Sequence, residues 1–80
     1  MKRVAYTAAA TKQRRKLPDD VRDRLTDKLA AYAATGAGDV RALVGRPGAR
    51  LRVGGWRIIF VETEDEILVV AVGHRREIYQ

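Results

Sequence analysis

The sequence predicts an α+β fold in which a two-helix hairpin packs on a small, mostly antiparallel four-stranded sheet, in the order β-α-α-β-β-β. Three observations carry that expectation. Val21, Leu25, Leu29 and Tyr32 recur at helical spacing; Gly54-Gly55 separates two strand-like runs; and 80 residues leave room for one core, hence a single domain over residues 1–80.

From Lys2 to Tyr6, Arg3 and Ala5 alternate with Val4 and Tyr6, which suits a short strand ending at Thr7, a residue fit to cap a helix. Ala8 to Lys16 are good helix formers, and Leu17-Pro18 breaks the run because the residue before proline avoids helical geometry. Pro18 then suits the first turn of a second helix, where Asp19 and Asp20 complement the dipole. That helix is expected to end at Gly36. Residues 36–39 read as a loop and Gly45-Arg46-Pro47-Gly48 as another, with only a short turn around Val40 to Val44 between them. Arg50 to Val53 and Trp56 to Glu62 form a hairpin, and a second turn falls near Glu64-Asp65. Ile67 to Val72 is apolar throughout, as in a strand covered on both faces. The first strand is expected to join the edge of this meander, with the helices on one face.

Sixteen Lys or Arg against ten Asp or Glu give a net charge of +6, and the excess is concentrated. Residues 1–16 carry six bases and no acid, and residues 41–60 carry five and no acid. Twelve of the sixteen bases are arginine, whose planar fork suits bidentate contact with phosphate. A solvated, arginine-rich surface would explain that ratio but not two acid-free blocks. With no cysteine and only His74, the chain offers neither a disulfide framework, a thiolate zinc site nor a histidine metal cluster, so no cofactor is expected. No apolar run approaches the ~20 residues that span a bilayer, and no secretion signal opens the chain, so a cytoplasmic location is expected.

If Gly54 and Gly55 form the turn, Val53 faces Trp56, Arg52 faces Arg57 and Leu51 faces Ile58. Arg50, Arg52 and Arg57 then share one face, while Leu51, Val53, Trp56, Ile58 and Phe60 line the other. Like charges placed opposite each other destabilise a sheet unless an anion binds between them. His74 adds a side chain suited to proton transfer near neutrality. Lys12, Arg15 and Lys16 share one face of the first helix and are candidate RNA contacts.

The run from Arg50 through Gly54-Gly55-Trp56-Arg57 to Phe60, the upstream Leu43-Val44-Gly45-Arg46-Pro47-Gly48 and the final Gly73-His74-Arg75-Arg76-Glu77-Ile78-Tyr79 resemble toxins of the RelE/ParE superfamily, on the RelE side. The basic first helix, Leu17-Pro18 and the acid-capped second helix match as well, and the family fold has the same β-α-α-β-β-β order. The resemblance implies a metal-independent, ribosome-dependent endoribonuclease that cuts mRNA in the A site. The ribose 2′-hydroxyl attacks the adjacent phosphate and leaves a cyclic phosphate. A cognate antitoxin, bound in a hetero-oligomer, would neutralise it, with ribosome and mRNA as its other partners.

By the same resemblance, Arg50 and Arg52 match the basic pair on the first meander strand and Arg57 the phosphate-binding arginine. Arg75 matches the residue near the leaving group, and Tyr79 the one that stacks on or orients substrate. His74 is a further candidate acid or base. The ParE branch shares the fold but poisons DNA gyrase and generally lacks this arginine and tyrosine set. A third alternative is an inactive member acting within an antitoxin repressor complex.

Overall fold

The structure, a computed structural model, describes residues 1–78. Strand β1, Arg3–Tyr6, leads into Thr7, whose Oγ1 accepts a hydrogen bond from the Ala10 N–H at 3.1 Å and caps helix α1, Ala8–Arg15. Pro18 opens helix α2, Asp19–Thr35. Its first-turn Asp19 pairs with Arg22. Gly36 ends it with a left-handed φ of 79°, its N–H donating to the Tyr32 carbonyl at 2.8 Å. Both helices and both ends match the expectation from the sequence to within a residue.

The sheet has five strands rather than four. Residues 39–42, expected to lie in a loop and a short turn, form strand β2, Asp39–Ala42. It pairs antiparallel with β3, Ala49–Val53, setting Asp39 against Arg52, Val40 against Leu51 and Arg41 against Arg50. The glycines on both sides make the segment look like loop, and Val40 is the one residue it turns toward the core, too short a pattern to signal a strand. Strands β4, Trp56–Glu62, and β5, Glu66–His74, complete the meander, and a single turn α3, Arg75–Ile78, follows. The spatial order is β1-β5-β4-β3-β2, with β1 parallel to β5 at one edge.

The β3–β4 register matches the expected one at all three pairs: Val53 with Trp56, Arg52 with Arg57, Leu51 with Ile58. Gly54 supplies the positive φ, 61°, that the turn requires. In β5, by contrast, the register slips. Ile59 faces Ala71 but Phe60 faces Val69, so Val70 is an extra residue in a bulge. Val69 and Val72 therefore both face the core, three positions apart.

One sheet face carries the core. Leu51, Val53, Ile58, Phe60, Ile67, Val69 and Val72 pack against Ala10 of α1 and Val21, Leu25, Leu29 and Ala33 of α2, with Phe60 fully enclosed. The other face of β5 is only half covered, since Leu68, Val70 and Ala71 are half-buried there; a strand covered on both faces was expected. Where β1 ends, the β5 edge would leave the Val72 N–H bare, and the Gln13 Oε1 of α1 accepts its hydrogen bond at 2.7 Å. Among the described residues no helix is long and apolar enough to cross a membrane.

Candidate active site

Two rows of side chains cross the face of the sheet that carries no helix. One runs Asp39, Arg52, Arg57, Gly73 from β2 to β5, and the next runs Arg41, Arg50, Ile59, Ala71. Four arginines thus gather with one acid. The sequence alone places Arg50, Arg52 and Arg57 together but misses Asp39 and Arg41, because the strand that carries them reads as loop. The alternation Asp39-Val40-Arg41, apolar between charges, is the signal that would have found them.

Asp39 leans toward both of its neighbours, at 3.6 Å from Arg52 and 3.9 Å from Arg41, distances too long for tight ion pairs. Arg57 is different. It is buried, with 6% of its surface exposed, and its Nη1 donates to the Gly54 and Trp56 carbonyls, each at 2.8 Å. Among the described residues no carboxylate pairs with Arg57, Arg75 or Arg76. A buried guanidinium satisfied only by carbonyl dipoles keeps its full charge, in a setting where low polarity strengthens its pull on an anion.

The bulge at Val70 determines what lies beside Arg57. Without the extra residue, Gly73 would turn toward the core; with it, Gly73 is the register partner of Arg57 and presents no side chain there. The same shift puts His74 opposite Trp56, on the face away from the arginine rows, where the two rings meet edge-on at 5.4 Å. The structure therefore does not bring His74 onto the face that holds Arg50, Arg52 and Arg57. Its Nδ1 accepts from the Arg76 N–H at 3.3 Å, which leaves Nε2 to carry the proton of the neutral ring. Nε2 lies 2.9 Å from where a Cβ on Gly55 would stand, so glycine at that turn position makes room for the imidazole.

Arg75 opens α3, and its N–H donates to the Gly55 carbonyl at 2.9 Å, which ties that turn to the β3–β4 hairpin. Its side chain is exposed, as are those of Lys12, Arg15 and Lys16 on α1. Tyr79 lies outside the described residues. No group of three or more His, Cys, Asp or Glu that could hold a metal ion occurs among the described residues.

A family model described as the ParE toxin of type II toxin–antitoxin systems, parDE, matches residues 4–79. The chain belongs to that family of toxins. No curated protein matches the chain. Among solved structures, the isolated Escherichia coli RelE toxin is similar at 25% identity and a TM-score of 0.77, covering 99% of this chain and 92% of that one. The RelE of a RelB–RelE antitoxin–toxin complex from Methanococcus jannaschii is similar at 22% identity and a TM-score of 0.77, covering 94% of each chain. A YoeB dimer from Staphylococcus aureus shares the fold at 11% identity and a TM-score of 0.76, covering 91% of this chain and 95% of that one.

Proposed function

We propose that this toxin is a ribosome-dependent endoribonuclease that cuts mRNA in the A site, and that the arginine face of the sheet is its active site. The observation that carries the reading is Arg57: a buried cation, partnered by carbonyls alone among the described residues, beside two more arginines and a glycine. Cleavage by the neighbouring ribose needs no outside nucleophile. The 2′-oxygen attacks phosphorus in line, the bond to the 5′-oxygen breaks, and a cyclic phosphate and a 5′-hydroxyl result. The demand on the protein is to orient the backbone and to stabilise charge on the phosphorane.

Arg57, with Arg52 opposite it, meets the non-bridging oxygens, and Arg50 holds the adjoining phosphate. Arg75 lies toward the leaving oxygen and Tyr79 toward the base. The arginines stay protonated, so they act through charge and hydrogen bonding rather than as bases. Lys12, Arg15 and Lys16 grip ribosomal RNA through its phosphates. An antitoxin partner follows from the complexes in which related toxins are found, and an acidic segment suits a toxin of charge +6.

The test is to express the chain under tight control and map the 5′ ends of cellular mRNAs beside an Arg57→Ala control. Cuts at A-site positions that vanish in the variant support the reading; intact mRNA overturns it. A second reading, poisoning of DNA gyrase, is favoured by the ParE character of the family model. It predicts arrested growth with a DNA-damage response and intact mRNA. A protein causing neither effect would act within an antitoxin repressor complex.

A further inference from the structure

A second concave site lies around the end of the sheet from Arg57. It is a cleft of about 410 Å³ between the end of α1, the start of α2 and α3, a size within the range of small-molecule sites. Leu17 and Pro18 form apolar walls, the half-buried Trp56 contributes an aromatic surface, and Lys16 and Glu77 bring one charge of each sign to the rim. Gly73, the register partner of Arg57, also lines it, so the cleft and the arginine face meet at one residue.

We infer that this cleft seats a nucleobase of the RNA whose phosphate lies at Arg57, and that it contributes to the choice of sequence; the inference rests on the ribonuclease reading above. Apolar walls with an indole suit the flat faces of a base, because single-stranded RNA is recognised by unstacked bases laid against aromatic side chains. Lys16 suits the phosphate attached to that base. Glu77, an acceptor only when ionised, suits an exocyclic amino group and disfavours the carbonyl edge of uracil. The occupant is thus a base of adenine, cytosine or guanine type rather than uracil.

Trp56 is the sole tryptophan of the chain, so its indole N–H gives one NMR resonance that reports on the cleft without any cleavage. The full chain is titrated with the four ribonucleoside 5′-monophosphates, in parallel with mRNA cleavage mapping. The expected result is a shift of the indole resonance with adenine, cytosine and guanine nucleotides, and roughly tenfold weaker binding of the uracil nucleotide. Glu77→Gln removes that preference, in binding and in the bases flanking the cuts, while Lys16→Ala weakens all four. An indole resonance unmoved by every nucleotide, or a preference unchanged by Glu77→Gln, overturns the inference even if cleavage is intact. Loss of cleavage with base binding retained instead strikes the ribonuclease reading and leaves the cleft a nucleotide site.

Discussion

At one end of the β4–β5 ladder Glu62 is held between two partners, and at the other Arg57 has none of opposite charge among the described residues. The Glu62 carboxylate takes the Lys2 ammonium at 2.6 Å and the Tyr32 hydroxyl at 2.6 Å, and Lys2 also donates to the Thr63 carbonyl at 2.7 Å. Those contacts, first the Lys2 bond and then the Tyr32 bond, hold the Glu62 carboxyl below its usual range. The Tyr32 phenol, donating to a carboxylate and partly buried, is pushed up to about 12. The same pair of strands thus carries a neutralised end that fastens β1 and α2 to the sheet, and a charged end that fastens nothing. Charge left uncompensated serves a ligand; charge compensated serves the fold.

The comparison breaks most severely at the ring beneath Tyr32. Phe60 lies 5.4 Å from the Tyr32 ring, and Phe60→Ala removes the centre of the core. A loss of about 3–5 kcal/mol is expected in urea unfolding. At the other end, Arg57→Ala is expected to lower cleavage about 100-fold, the scale of one lost charge-stabilising donor. Its circular dichroism spectrum should remain that of the unmodified chain. Collapse of the fold would place Arg57 with Glu62 as a structural group.

Gln13→Leu strips the Val72 N–H of its acceptor and should cost about 1–3 kcal/mol, read by the same unfolding curves. The smallest effect belongs to Glu62→Gln, about 0.2–1 kcal/mol for a pair this close to solvent. Its pH dependence is more telling than its size. A depressed Glu62 carboxyl contributes stability above the ordinary carboxylate range, and that contribution is lost as pH falls through the folded value. A raised Tyr32 contributes stability that is complete below its ordinary 10.0 and is lost as pH rises through about 12. Unfolding free energies of the two proteins should therefore differ most near neutrality and converge at both extremes.

How much of this was legible in the sequence depends on how tightly local chemistry constrains each element. Gly54-Gly55 permits one short turn, so the facing of Arg52 and Arg57 follows from counting residues. Thr7, Pro18 and Gly36 bound the helices by the hydrogen bonds and φ angles they favour. Strand β2 was not legible, since its hydrogen bonds are supplied by β3 and its own residues carry little strand preference. Nor was the bulge. Ile67 to Val72 is apolar at every position, so no alternation betrays where the phase changes, and the side of the sheet taken by His74 could not be counted from Ile67. The arginine rows were readable because charge and apolar residues alternate strictly on β3. On β2 the same alternation spans too few residues to announce itself.

The extra residue at Val70 also governs which changes of length this chain can accept. Deleting Val70, or inserting one residue between it and Gly73, reverses the parity of everything downstream: Gly73 would turn inward, His74 would stand against Arg57, and Val72 would leave the core. Two compensating changes on the same strand restore the pattern, whereas one does not. Family members whose β5 differs in length should therefore differ by even numbers between the core valines and the glycine, or carry the bulge elsewhere.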